Sequence, residues 1–308
     1  MTQTLAERTC WIAVDWGSTH LRVWAVNTND QVIARDWSEQ GLNNIQENGF
    51  ERALLDLVEP WLDEGVVTKV VACGVVGARQ GWCESAYQET PCHPLQDAQF
   101  TKVNCKDNRI SVTIVAGVMQ AHPVDIMRGE ETQIAGFLSD QNDFNGVVCL
   151  PGTHAKWALI ESHQLMHFTT FMTGELFDLL ANHSVLKHTV AAQGWQPEAF
   201  ARSLQQAYSE PSLVTAQLFS LRAGAIVDGL PAAEARARLS GLLIGLELKA
   251  AEGYWRDKEV VILGSSSLAK LYHQALIIIG VGARIVDNER LTVAGLSCAY
   301  SQLIQWKG

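Results

Sequence analysis

The chain has 308 residues, 47% hydrophobic and 18% charged, enough for two domains with their own cores and unlike a disordered composition. Its 23 Lys and Arg against 33 Asp and Glu give a net charge of -10, which argues against nucleic acid or an anionic membrane surface as the main partner. No run approaches the roughly 18 apolar residues of a membrane span, and the start lacks the basic and apolar regions of a signal peptide, so a cytoplasmic protein is expected.

In chain order, residues 11–14 form an apolar run, residues 15–19 a polar turn and residues 21–26 a second strand pattern. After a turn signal at 27–30, residues 31–37 read as a third strand. The spacing then predicts an amphipathic helix over about 50–64, with Leu54, Leu57, Val58 and Trp61 on one face. Strands at 69–76 and 111–115 flank a long insertion, and 130–139 reads as a helix. The second half repeats the order. Strands at 146–150, 157–160 and 165–171 surround a polar turn at 151–156, and a helix begins at 174. Helices at 199–207, 213–227 and 232–255, a strand at 259–263, a helix at 268–279, a short strand at 284–286 and a helix at 292–305 complete it.

Two halves that each open strand–polar turn–strand–strand predict a duplicated α/β fold with mixed sheets. The expected domains are residues 1–143, joined by the final helix 292–305, and residues 144–291. Seven cysteines, at 10, 73, 83, 92, 105, 149 and 298, are odd in number and hold no CxxC pair; buried reduced thiols are expected. Cys83, Cys92 and His93 lack the spacing of a zinc site.

The common nucleotide signatures are missing. No GxxxxGK[ST] occurs, Gly280-Val281-Gly282 lacks the third glycine of a dinucleotide fingerprint, and the protein-kinase set is absent. What remains is Asp15-Trp16-Gly17-Ser18-Thr19. A carboxylate at the end of a buried strand can hold Mg²⁺, directly or through water. Gly17 lets the backbone approach a phosphate, and Ser18 and Thr19 donate to its oxygens. A plain polar hairpin is the alternative for this turn alone.

The second half carries Leu150-Pro151-Gly152-Thr153-His154-Ala155-Lys156-Trp157 at the equivalent turn. Two phosphate-holding hairpins facing across a cleft are how actin, hexokinases and Hsp70 hold ATP, so the expected fold is two actin/hexokinase-like (ribonuclease H-like) domains with an ATP cleft. Val260-Val261-Ile262-Leu263-Gly264-Ser265-Ser266 matches the position of the adenosine segment, with Ser265 where a second glycine is usual. With so few cations, backbone N–H groups and a metal must hold most of the phosphate charge.

The strings Asp15-Trp16-Gly17, Gly77-Ala78-Arg79-Gln80-Gly81-Trp82, Met127-Arg128-Gly129-Glu130-Glu131-Thr132-Gln133, Leu150-Pro151-Gly152-Thr153-His154 and Thr170-Phe171-Met172-Thr173-Gly174-Glu175-Leu176-Phe177 together resemble the 2-dehydro-3-deoxygalactonokinases, from about residue 11 to 303. The resemblance implies ATP-dependent phosphorylation of 2-dehydro-3-deoxygalactonate to its 6-phosphate in galactonate breakdown. Its partners would be the sugar acid and MgATP, and oligomeric state stays open.

Under that resemblance Arg79 and Arg128 are candidates for the substrate carboxylate. Trp82 is a candidate for the sugar face, and Glu130 or Glu131 for the general base, Glu130 favoured because Gly129 before it permits close substrate approach, with Asp15 organising the metal. Each has a structural alternative: surface arginines, a core tryptophan, and carboxylates placed at a helix start for its dipole. Lys156 is a candidate for neutralising phosphate, His154 equally for bonding within the turn, and 173–175 for a helix cap or a substrate loop. A same-fold kinase with another substrate and a non-catalytic actin-like nucleotide-binding module are the rival readings.

Overall fold

A computed structural model describes residues 3–46, 48–95, 99–141, 143–191, 193–264 and 267–305. The chain divides into two units, one of Met1–Phe144, Ser162–Met166 and Asn288–Gly308, the other of Asn145–Glu161 and His167–Asp287.

In the first unit a short helix α1 (Leu5–Arg8) leads into β1 (Trp11–Trp16), β2 (Leu21–Val26) and β3 (Val32–Ser38), then α2 (Phe50–Val58) and β4 (Thr68–Gly74). The insertion that follows holds β5 (Tyr87–Glu89) and β6 (Phe100–Lys102); β7 (Ile110–Val115), β8 (Gly117–Gln120), β9 (Asp125–Met127) and α3 (Glu130–Asp140) come next. One sheet runs β3-β2-β1-β4-β7-β6, and a smaller one β5-β8-β9. β1 pairs antiparallel with β2 and parallel with β4, and β4 pairs parallel with β7. A central strand buried on both faces needs a continuous apolar run, and Trp11, Ile12, Ala13 and Val14 are all buried. α2 stops at Val58 and tightens into a 3₁₀ turn, Glu59–Trp61, where Pro60 ends the run predicted to reach residue 64.

The second unit repeats the layout with β10 (Gly146–Leu150), β11 (Ala155–Glu161) and β12 (Gln164–Phe171), the first residues of β12 belonging to the first unit. Then come α4 (Thr173–His183), α5 (Pro197–Ser209), α6 (Val214–Val227), α7 (Ala232–Ala250), α8 (Glu252–Trp255), β13 (Val260–Leu263), α9 (Ser267–Ile278) and β14 (Ala283–Val286). Its sheet is β12-β11-β10-β13-β14, with β10 antiparallel to β11 and parallel to β13. Both large sheets therefore share one plan: three strands linked by hairpins, with parallel strands beside the first. The helix predicted over 232–255 is two, broken at Ala251.

The last helix, α10 (Asn288–Gln305), returns to the first unit and packs on α3. Gly136 and Gly295 permit this, because a Cβ on either would sit 2.0 Å from the Leu291 or Thr132 carbonyl oxygen. No described helix is long and apolar enough to cross a membrane.

Candidate active site

The candidate residues fall into two groups, one in each unit. In the first unit β1 and β4 run parallel with Asp15 beside Cys73 and Trp16 beside Gly74. Gly74 takes φ +91° against the Trp16 backbone, and Gly129 (φ +112°) lies on Gly74, close enough that its own Cβ would be 3.3 Å from the Gly74 Cα. That approach brings the start of α3 to the end of β1. Asp15, Cys73, Glu130 and Glu131 are thereby gathered into one electrostatic neighbourhood.

Within it the groups differ. Asp15 Oδ2 accepts from Arg22 at 3.0 Å, across the hairpin pair Asp15–Arg22, and the Cys73 thiol lies 3.9 Å from Oδ1. Burial raises the Asp15 carboxyl above its ordinary range, Arg22 pulls it back, and the Glu130 charge adds to the rise. Glu131 is fully enclosed. The Gly129 N–H donates to its two oxygens at 2.8 and 2.6 Å and the Thr132 hydroxyl to one at 3.1 Å. Burial, followed by the Glu130 charge, pushes this carboxyl up to about 7. Glu130 is only half-buried, with Oε2 accepting from the Arg128 N–H at 3.1 Å. The Cys73 thiol is driven well above its usual value by burial and then by Asp15 and Glu131, so it stays protonated.

No three His, Cys, Asp or Glu side chains form a metal cage among the described residues. A carboxylate such as Asp15, with Glu130 close by, fits Mg²⁺, which keeps waters and takes its remaining ligands from substrate phosphates.

The turn beyond Asp15 exposes Ser18 and Thr19. Its carbonyls are all occupied from behind: the N–H groups of Leu42, Asn43 and Gly41 donate to the carbonyls of Gly17, Ser18 and Thr19 at 3.1, 2.9 and 3.2 Å. Gly41 makes this approach possible, since a Cβ there would lie 2.3 Å from the Thr19 carbonyl carbon. A Cβ on Gly17 would meet nothing nearer than the His20 oxygen at 3.4 Å.

Of the other first-unit candidates, Arg79 is exposed and has no hydrogen bond or ion pair among the described residues. Arg128 is committed. Its Nη1 donates to the Ser85 hydroxyl, Nη2 donates to the Ser85 carbonyl at 2.9 Å, and its guanidinium lies 4.2 Å over the Tyr87 ring, while Nε is buried without a partner among the described residues. Trp82 is half-buried, stacked on Phe50 and edge-on to Trp16.

The second unit's turn exposes Thr153 and His154. It too is held from behind, by the start of α4. The Glu175 N–H donates to the Thr153 carbonyl at 3.0 Å, His154 Nε2 lies 2.6 Å from Glu175 Oε2, and a Cβ on Gly174 would sit 2.4 Å from the Gly152 oxygen. Gly152, like Gly17, has room for a Cβ at ordinary contact distance, the nearest described atom being 3.9 Å from one built there. Lys156 is buried, and its ammonium donates to the His154 carbonyl at 3.2 Å. Gly264 ends β13, its added Cβ 3.0 Å from Ala269; Ser265 lies outside the described residues.

A family model described as 2-keto-3-deoxy-galactonokinase matches residues 15–299. The chain belongs to the 2-keto-3-deoxy-galactonokinase family. It is a sugar-acid kinase, a phosphotransferase with an alcohol acceptor, and membership of a kinase family implies use of ATP. A relative from Escherichia coli (strain K12) named 2-dehydro-3-deoxygalactonokinase is 33% identical over 290 residues, covering 93% of this chain and 96% of its own. Another from Rhizobium meliloti (strain 1021), where the same name is provisional, is 38% identical over 296 residues, covering 93% and 95%. A crystal structure from Sinorhizobium meliloti, provisionally described as this kinase, superposes with TM-score 0.88 at 35% identity, covering 97% and 98%. A xylulose kinase from Lactobacillus acidophilus, at TM-score 0.51 and 10% identity, shares the fold alone. The expected actin/hexokinase-type fold and the expected family are both borne out.

Four residues that shape these sites, Arg22, Cys73, Gly41 and Glu247 (described below), do not stand out in the sequence. Arg22 alone had a local signal, being the polar residue directly opposite Asp15 in a two-strand hairpin of that register.

Proposed function

We propose that this chain transfers the γ-phosphoryl group of ATP to the terminal hydroxyl of 2-dehydro-3-deoxy-D-galactonate, giving the 6-phosphate, as a cytoplasmic step of galactonate catabolism. The substrate is taken from the names of the relatives. The observation that carries the chemistry is the accessible Glu130 carboxylate beside Asp15, next to a turn that exposes two hydroxyl residues.

In this reading the two units are the two actin-like domains, the first serving the sugar acid and the second the adenosine. Glu130 takes the proton of the attacking hydroxyl as general base. Glu131, enclosed and bonded to the Gly129 N–H, holds the first turn of α3 in place. Asp15 would hold Mg²⁺, which when bound neutralises charge on the phosphate oxygens. Ser18, Thr19 and Thr153 donate to phosphate, and Gly17 and Gly152, which no neighbour in the fold requires to be glycine, admit it close to the backbone. His154 and Lys156 shape the second turn, Gly264 and Ser265 border adenosine, and Trp82 walls the sugar site. Arg79, free of partners among the described residues, pairs with the substrate carboxylate, and Arg128, bonded to Ser85 and laid over Tyr87, holds its own segment in place.

An ADP-release screen over neutral sugars and 2-oxo-3-deoxy acids tests this. The galacto-configured acid should turn over best, and ADP release driven best by a neutral sugar overturns the assignment. Arg79→Ala should raise KM for the acid by roughly tenfold to a hundredfold, the cost of about one charge-assisted hydrogen bond, while KM for ATP moves little. Equal effects on both substrates would remove the carboxylate role.

A further inference from the structure

Glu247 is a carboxylate in the last turn of α7, only 2% exposed, with no cation beside it among the described residues. A buried charge without a counter-ion must be held by donors. Three side chains supply them. Trp157 Nε1 donates to Oε1 at 2.8 Å, the Tyr272 hydroxyl to Oε2 at 2.6 Å, and the Thr173 hydroxyl hydrogen-bonds the same carboxylate. Burial raises this carboxyl and the three donors draw it back.

The origins of the three donors matter more than their number. Trp157 is on β11, in the third position after the 151–154 turn. Thr173 opens α4, whose next two residues press on Gly152 and bond Thr153. Tyr272 is on α9, the helix that follows Gly264. The proposed function gives the nucleotide the 151–154 turn and the segment at 264; one carboxylate joins the strand that leaves that turn, the helix that braces it and the helix that follows Gly264.

We infer that Glu247 is the positioning residue of the nucleotide-binding half of this kinase, fixing the phosphate turn, its α4 brace and the adenosine-side helix α9 to one another. It touches no substrate. The inference rests on the proposed function, in which the 151–154 turn and the segment at 264 hold ATP. An apolar core residue of similar size would fill the same volume but could not fix three elements by directional bonds.

The test is steady-state kinetics and ADP binding for Glu247→Gln, Tyr272→Phe and Thr153→Ala, with thermal unfolding alongside. Glutamine keeps the shape but has one acceptor oxygen instead of two. Glu247→Gln should raise KM for ATP and Kd for ADP by about tenfold, with KM for the sugar acid within about twofold. Tyr272→Phe should act in the same direction by a few-fold, and it decides the matter if Glu247→Gln does not fold. Lowered thermal stability with unchanged nucleotide affinity would make the cluster a core feature and overturn the inference. So would equal losses for both substrates. If Thr153→Ala weakens ATP while Glu247→Gln and Tyr272→Phe do not, the inference falls and the turn assignment stands. If Thr153→Ala is silent as well, the turn assignment falls and takes the inference with it.

Discussion

The two polar hairpins occupy matching places in matching sheets, yet they are equipped differently. The first ends its strand in Asp15 and gathers Arg22, Cys73, Glu130 and Glu131 around it, so it is a place where charge and protons are managed. The turn of the second carries no carboxylate, offering Thr153 and His154 and depending on Glu175 and the Glu247 cluster for its shape. What they share is glycine of two kinds. Gly41 and Gly174 are demanded by backbone contacts of 2.3 and 2.4 Å to a Cβ, whereas Gly17 and Gly152 would take one at ordinary contact distance. Both turns are braced from behind, and the carboxylates gather at only one of them.

If that division is right, the largest losses come from the first hairpin and fall on kcat. Asp15→Asn should remove nearly all turnover with the fold intact, since a charge beside the metal is lost at constant shape. Near wild-type kcat in the purified variant would make the two hairpins equivalent. Glu130→Gln should lower kcat by about 10²–10⁴-fold with ATP binding retained, and Glu131→Gln by far less, measured by single-turnover kinetics. A dead Glu131→Gln beside an active Glu130→Gln would exchange the two roles.

The glycines sharpen the shared part of the comparison. Gly17→Ala and Gly152→Ala should leave thermal stability nearly unchanged and raise KM for ATP. Gly41→Ala and Gly174→Ala should cost about 1–3 kcal/mol of stability, because backbone must move to admit the methyl group. Thermal unfolding with and without ATP separates the pairs, and identical behaviour of all four would erase the distinction.

A pH dependence of stability comes from Glu131 in the first unit. Glu131 binds a proton more tightly folded, at about 7, than at its unfolded value of 4.5. Its contribution to stability is therefore complete below about 4.5, falls as pH rises through that window, and levels off above about 7. Glu131→Gln should gain stability relative to wild type over that interval. A parallel pair of melting curves across pH would place the proton elsewhere.

Much of the fold is legible in the chain itself. Apolar runs broken by Gly and hydroxyl residues mark both hairpins, because a strand buried on both faces must end where such residues begin. β5, β8 and β9 are hidden, because strands of three or four residues are too short to establish a period of two. Gly41 and Glu247 are hidden for a different reason: their partners lie about twenty to ninety positions away, and nothing local announces them. Residue type leaves Glu130 and Glu131 equivalent, and only the preceding Gly129, which permits close approach, favours Glu130. Full enclosure of Glu131 and half-burial of Glu130 distinguish them in space, although both stand at the same helix start.

The closeness of α3 and α10 has a consequence in time. The helix bearing Glu130 rests on residues 291–295, backbone against backbone, through Gly136 and Gly295. A ribosome adding about 5–20 residues per second must therefore make all of the second unit before the first can close. A chain cut short anywhere in that interval carries every proposed catalytic carboxylate and lacks the helix against which α3 packs, so the proposed phosphotransferase centre is complete only after α10 is made.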